Sequence, residues 1–596
     1  MNKFWLGILR FFPSQAWRLL QPAAVLTVLL GGLLAGPAAR AQLVAFPGAE
    51  GAGKFTSGGR GRPAQPTVVY EVTSLADTNT PGTLRHALSQ SATIAPFRTI
   101  VFRVCGTIRL TANLRIPANT TVAGQTAPGD GICLADREVS VSGSNVIVRF
   151  VRFRLGDRYQ NGGMVPGSGD SDAFNGRANL KTIIDHCSMS WSTDEAFSFY
   201  EGDSTTLQWN LISEPLNYSY HFEAGDTDFE RHGYGGIWGG RRASFHHNLI
   251  AHCKGRMPRF AGSGGLSPAV AGTENVDFRN NVVYNWEAYS SNGGEGGNYN
   301  MVNNYYKWGP STPNTSSSGV PRRAQLMNPS RTTTAPGLPY PRIFLTGNFV
   351  DGSPLVTARN WRVVLMSGGT LNDTVQSKVA VPFTIVPMPT QTAPDAYEAV
   401  LQRAGCVLPV RDALDQRIVN DVRSRTGAII DVQGGFPHGT PYSQTAGVWP
   451  VLTCGAAPVD TDRDGMPDAY ETANGLNPSN AIDRQLVAPN GYTNLENYLN
   501  GLVTLVTGTR GKATGSVQPL RVYPNPTTEQ LTLAHPRATA AARVTVFNFV
   551  GQQVAAYAAK AGDLETCFDL AAFARGNYLL VYTDQALQLT AKCVRQ

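Results

Sequence analysis

Asparagine recurs in this chain at a spacing that few folds can use. Aligning Arg149-Phe150-Val151, Asp185-His186-Cys187, Trp209-Asn210-Leu211, His247-Asn248-Leu249, Asn280-Asn281-Val282, Asn303-Asn304-Tyr305 and Gly347-Asn348-Phe349 puts a repeated position at 150, 186, 210, 248, 281, 304 and 348. The intervals are 36, 24, 38, 33, 23 and 44 residues, and the last five positions are all asparagine. In a stack of coils each buried amide meets the amide of the next coil, so polar groups satisfy one another along the axis. The shortest intervals suit one coil. The longer ones carry loops, which in a solenoid often form the binding face. A sandwich whose strands happen to run into asparagine turns does not account for the repetition. The expected fold is all-β, a right-handed parallel β-helix.

Only 16% of residues are charged and 62 are glycine, which suits a turn-rich β protein. Short β-branched runs such as Val68-Val69-Tyr70-Glu71-Val72 are bounded by Gly, Pro and Asn, the pattern of strands and turns. Residues 82–89 are an exception, with Leu84, Ala87 and Leu88 at helical spacing, and are expected to form a short helix capping the first coil. After Asn348 the repeat fades. An extended, proline-punctuated tail over 381–389 and helical patterns over 397–404 and 411–426 are expected to pack back along the solenoid.

Residues 1–41 have the form of a secretory leader: basic residues, an apolar run over 23–34, and Ala39-Arg40-Ala41 before Gln42. The apolar run is short for a membrane span, and no other segment is apolar enough to cross a bilayer. The formal charge is +7; the leader holds Lys3, Arg10, Arg18 and Arg40 and no acid, so the remainder carries 7 − 4 = +3. So near a balance excludes a general nucleic-acid binder. The mature chain is expected to be secreted or held at the cell surface. All eight cysteines follow the leader, an even count that permits disulfides without fixing their connectivity. Cys567 and Cys593 are candidates to pair within the last domain, while Cys187 and Cys253 are as readily buried free thiols.

The chain divides into a leader (1–41), a solenoid with its tail (42–455), a small unit (456–506), a linker rich in Gly, Thr, Ser and Lys (507–518) and a terminal β-sandwich (519–596). The small unit opens with Asp460, Asp462, Asp464, Gly465, Met466, Asp468 and Glu471 in the spacing D-x-D-x-D-G-x-x-D-x-x-E. That spacing puts carboxylates at positions 1, 3, 5, 9 and 12 around a sharp glycine turn, with a backbone carbonyl at position 7, as an EF-hand-like calcium loop requires. Its expected role is structural.

A second set of charged residues lies on the solenoid. Asp170 and Asp172 precede the Ile184-Asp185-His186 strand, Asp194 and Glu195 follow it, and Arg256 and Arg259 come two coils later. Acidic and basic clusters on neighbouring coils are the parts needed to cleave a uronate polymer by β-elimination. A cation neutralises the sugar carboxylate, a base takes the C5 proton, and nearby positive charge stabilises what develops. A glycoside hydrolase needs two opposed carboxyls instead; adjacent Asp194 and Glu195 would point to opposite faces of a strand. A non-catalytic pectin-binding protein has no need of Arg256. The His246-His247 pair suits packing better than zinc, since no third ligand stands at suitable spacing. Trp191 and Trp209 fall in strands and are expected in the core.

Over residues 44–310 the chain resembles the pectate lyases, polysaccharide lyase family 1. The resemblance is carried by Pro81-Gly82-Thr83-Leu84-Arg85, Thr99-Ile100-Val101-Phe102, Ile184-Asp185-His186, His232-Gly233-Tyr234-Gly235-Gly236-Ile237-Trp238-Gly239, His246-His247-Asn248 and Arg256-Met257-Pro258-Arg259. It implies calcium ligands at Asp170, Asp172 and Asp194, a proton-abstracting arginine at Arg256, substrate-carboxylate binding by Arg259, and a pectic substrate such as polygalacturonate. Ser198 stands where the family has a further ligand aspartate; either Glu195 replaces it or calcium binds firmly only with substrate. Tyr234 stands in place of a family lysine, as a candidate substrate contact, and Ala261 in place of a later arginine. The last segment, with Tyr523-Pro524-Asn525-Pro526, resembles the C-terminal sorting domain of type IX secretion, whose machinery is then the expected partner.

Overall fold

One apolar stripe explains how the coils stack. Ile100, Val122, Val148, Ile184, Leu207, Phe245, Phe278, Met301 and Leu345 lie side by side on successive parallel strands, and all are buried. A second stripe, Ile108, Leu134, Phe153, Met189, Ile212, Ile250, Val283, Tyr306 and Val350, faces it from the next sheet. The computed structural model describes residues 42–503 and 520–596, apart from 318, 336, 549–552 and 585–586. Among them, parallel sheets of ten, nine and eight strands form a right-handed parallel β-helix, with every third strand in chain order entering the same sheet. The leader (1–41) and the linker (507–518) lie outside the described residues.

The observed register corrects the sequence alignment by one residue in its first two coils. Arg149, Asp185, Gln208, His246, Arg279, Val302 and Thr346 pair across the first sheet. Phe150 and His186 therefore align with Trp209, His247, Asn280, Asn303 and Gly347, not with the asparagine column. This row turns the corner between sheets with φ between 53 and 67°. A left-handed residue other than glycine costs about 1 kcal/mol or more, least for asparagine. Here the rings offset part of it by stacking: Phe150 on His186 at 5.0 Å, His186 on Trp209 at 5.9 Å, and Trp209 on His247 at 4.2 Å. Phe150 and His186 were misplaced because an aromatic row and an amide column lie one residue apart.

The amide column itself is continuous. Asn210 Nδ2 donates to Asn248 Oδ1 at 3.0 Å, Asn248 to Asn281 at 3.0 Å, Asn281 to Asn304 at 3.0 Å, and Asn304 to Asn348 at 2.9 Å. Asn360, from a 3₁₀ turn, extends the column past the last repeat, and Cys187 closes the other end by donating its N–H to Asn210. Each Oδ1 also accepts a backbone N–H, and each Nδ2 also reaches a carbonyl.

The tail returns along the solenoid. Helices Ala393–Arg403 and Ala413–Ser424 cover the outer face of the second sheet, where Val400, Leu401, Ile418 and Val422 pack on Leu211, Leu249 and Val282. Beneath them Arg154 pairs with Asp412 at 2.8 Å and Asp415 at 3.0 Å. The tail ends in a disulfide, Cys105–Cys454, which joins it to the first coils. Cys567 and Cys593 do not pair: they sit in different sheets of the terminal sandwich, Cys567 exposed and Cys593 buried. Cys187 and Cys253 are buried free thiols. The helix Leu84–Ser89 forms as expected. Among the described residues no helix is long and apolar enough to cross a membrane.

Asn281→Ala leaves the Asn248 N–H and one of the two Asn248 amide hydrogens without an acceptor, at about 1–3 kcal/mol for each buried donor. Thermal unfolding of this variant is expected to show a loss on the order of 2–4 kcal/mol, whereas Asn303→Ala, at the left-handed corner, is expected to cost less.

Candidate active site

Loops entering the third sheet on successive coils lie over one another and form a single axial row. The Ala173 N–H donates to Glu195 O at 3.2 Å, Ala196 N–H to Tyr234 O at 3.1 Å, Gly235 N–H to Gly255 O at 3.0 Å, and Gly236 N–H to Arg256 O at 2.9 Å. The row therefore reads Asp172, Glu195, Tyr234, Gly255 along the axis, with Arg256 one residue on, beside Gly235, although these residues span more than eighty positions. The glycines of the 232–239 motif permit it: a Cβ on Gly235 would meet Arg256 O at 2.6 Å, and one on Gly236 would strike Phe197 O.

Asp172, Asp194 and Glu195 bring carboxylate oxygens within 4.8 Å of one another. Asp194 and Glu195 converge, contrary to the expectation of opposite faces, because residues 191–196 bend instead of forming a strand. Asp172 Oδ1 accepts the Glu195 N–H at 3.0 Å. Burial, then the negative charges of Asp194 and Glu138, push the Asp172 carboxyl well above its ordinary range. Burial also acts on Asp194, but His232, His221 and Arg256 hold it below the usual range. A buried carboxyl raised by its neighbours is a place that lacks positive charge, and an all-oxygen donor set fits a hard cation such as calcium.

Across Tyr234 stands Arg256. Its guanidinium lies 4.1 Å from the Tyr234 ring centroid and pairs with Glu195. Its φ is 52°, the left-handed region, in a segment held from both sides. Burial lowers its hold on its proton; Asp194 and Tyr289 partly offset this, and Arg259 adds to the lowering. Arg259 is fixed by Glu295, with Nη2 to carboxylate distances of 3.0 and 3.2 Å.

Of the residues singled out in the sequence, Asp172, Asp194, Glu195, Tyr234 and Arg256 are in contact, with Arg259 three residues further along the same coil as Arg256. Asp170 is exposed and stands outside the close carboxylate group. Tyr234 is 8% exposed, so the face beneath Arg256 acts as a support for the guanidinium. Ser198 donates its hydroxyl to Asp172, and Glu195 is engaged by Arg256. Sequence reasoning missed Glu138, which precedes strand Val139–Val141 one coil below Asp172. It also missed His221 and His232, which face Asp194. Third-sheet register would have found Glu138; nothing short of the fold would have found His221.

In the second acidic unit Asp460, Asp462 and Asp464 bring oxygens within 4.8 Å, as do Asp464, Glu471 and Asp483. Asp483 lies beyond the contiguous motif. Asp464 Oδ2, both Glu471 oxygens and Asp483 Oδ1 are buried without hydrogen-bond partners, and burial with mutual repulsion pushes Asp464 and Glu471 up to about 7. These orphaned oxygens fit a bound calcium ion. Asp468 turns aside to accept from Thr461 N–H and hydroxyl at 2.7 Å each. The Met466 side chain packs with Val101, Ala123 and Leu495, fastening the unit to the first coils.

The chain is similar to known proteins over most of its length. Residues 521–596 match the secretion system C-terminal sorting domain family. Curated relatives include a probable pectate lyase C from Aspergillus flavus, 32% identical over 77% of this chain and 94% of its own length. Another, from Neosartorya fischeri, is 32% identical over 80% of this chain and 97% of its own length. Among solved structures, jun a 1, the major allergen from cedar pollen, covers 60% of this chain and 92% of its own at 16% identity and a TM-score of 0.38. A pectate lyase bound to hexasaccharide covers 61% and 98% at 14% identity and a TM-score of 0.38. On the strength of the curated relatives, this chain is a polysaccharide lyase and belongs to the pectate lyase family.

Proposed function

We propose that the chain is a secreted pectate lyase that cleaves polygalacturonate by calcium-assisted β-elimination, with Arg256 as the base. The observation that carries this reading is the site itself: a charge-starved carboxylate cluster in contact with a partly buried arginine that rests on one tyrosine. Asp172, Asp194 and Glu195 would hold calcium, which supplies positive charge to the substrate carboxylate and so acidifies the C5 proton. Arg256, its proton affinity lowered by burial, first yields a proton to solvent and, as the neutral guanidine, takes the C5 proton. Tyr234 and Glu195 keep the guanidinium in one place, so its position is set before substrate arrives. Arg259, braced by Glu295, offers its remaining donors to a carboxylate of the polymer. The C5–H and C4–O bonds break as the C4–C5 double bond forms, and the departing glycosidic oxygen takes a proton from water. The sorting domain and the expected leader support export through the type IX machinery to a substrate outside the cell.

Digestion of polygalacturonate in calcium is expected to give the unsaturated uronide chromophore; saturated products with new reducing ends would mean hydrolysis. Arg256→Lys keeps the charge but not the fork or the proton-transfer group, and should lower kcat by about 10²–10⁴-fold with KM little changed. Full turnover in that variant would remove Arg256 from the chemistry.

The two acidic sites should separate. Asp464→Ala is expected to reduce the calcium-dependent rise in thermal stability while leaving turnover nearly intact. Asp194→Ala should stop turnover and leave that rise in place. Calorimetry with and without chelator, beside an initial-rate assay, reads both; equal loss of activity in the two variants would show that the sites are not separate.

A further inference from the structure

Asp194 faces two histidines that the elimination chemistry does not use. His232 Nε2 lies 2.8 Å and His221 Nε2 3.8 Å from Asp194 Oδ1. The two rings stack with centroids 3.7 Å apart, and each residue is only 3% exposed. His232 Nε2 is buried and faces the Asp194 carboxylate at ion-pair distance. Behind both rings Glu230 Oε2 sits 2.8 Å from His232 Nδ1 and 3.3 Å from His221 Nδ1. Glu230 thus orients the His232 ring by a hydrogen bond and stands near His221 Nδ1, while the Nε2 atoms of both rings lie on the side of Asp194.

Metal-binding histidines are usually held this way, the free ring nitrogen on the metal and the other on a carboxylate. The ligand atoms of Asp194, His221 and His232 all lie within 4.8 Å of one another. We propose that these residues form a site for a transition-metal ion of the zinc or cobalt kind, distinct in chemistry from the all-oxygen cluster beside it. Two imidazoles and one carboxylate suit such ions and give calcium little. Three protein ligands leave a fourth position open, and the Asp194 side chain is 21% exposed toward solvent. Bonds of about 2.0–2.2 Å require the rings to turn out of their stack. They sit on a long excursion between strands Leu211–Ser213 and Ile237–Trp238, which holds no other named strand. Asp194 is shared with the cluster of Asp172 and Glu195, so a metal bound to the histidines draws Asp194 away from it. Only that last consequence rests on the calcium reading.

The test uses tag-free full-length protein in saturating calcium, titrated with Co²⁺ and followed by its visible d–d absorption. One equivalent of cobalt is expected to give the bands, and Zn²⁺ to abolish them. His232→Gln should remove them, His221→Gln should weaken binding by at least about tenfold, and Glu230→Gln by about 10–100-fold. Circular dichroism confirms that each variant is folded. Absence of calcium-resistant bands, or bands that survive in both histidine variants, overturns the site. Binding is read without turnover, so a chain that takes cobalt here but yields no unsaturated product keeps this site and loses the lyase reading. The reverse result loses this site alone.

Discussion

The repeating constraint in this molecule is the amide column at the corner between the first two sheets. Each asparagine is both donor and acceptor to its neighbours, so one amide cannot shift without leaving a buried group unpaired. The column fixes the register of every coil it passes through. Register at one corner then fixes register at the others, because the strands between them are only two to six residues long. The loops that enter the third sheet inherit this order. Asp172, Glu195, Tyr234 and Arg256 meet because coils of roughly 70–140 Å in extended chain are stacked about 4.8 Å apart.

The site built on that frame is electrostatically unfavourable without its ligands. Asp172 is crowded by Asp194 and Glu138, and Arg256 is partly withdrawn from water, a loss that Glu195 and Asp194 offset only in part. Neither arrangement serves stability, and the backbone of Arg256 adds a left-handed residue. The surrounding interior is apolar and closely packed, with Phe197, Trp238 and Phe260 beneath the row. It is this rigid support that keeps like charges together. The second acidic loop shows the same logic at another place, where orphaned oxygens of Asp464, Glu471 and Asp483 are held by a unit fastened through Met466 to the first coils.

Much of this was legible in the sequence, for physical reasons that differ by residue. The asparagine spacing announced a solenoid because buried amides need partners at each coil. The slip at Phe150 and His186 arose because rings and amides occupy neighbouring positions of the same turn. Asp172, Asp194 and Arg256 stood out by motif; Glu138 did not, since its place depends on third-sheet register alone. His221, on an excursion without repeat, and Asp483, outside the contiguous loop, are brought in only by tertiary packing. The pairing of Cys105 with Cys454 depends on the tail returning to the first coils, which no spacing encodes.

The central claim is that the acidic cluster and Arg256 act as one unit because the coils stack them. A double-mutant cycle on turnover with Asp172→Asn and Arg256→Lys tests it directly. Residues that act together give strongly non-additive losses, so the double variant should be little worse than the poorer single variant. Losses that simply add, with each variant folded, would show two independent contributions and contradict a single catalytic row.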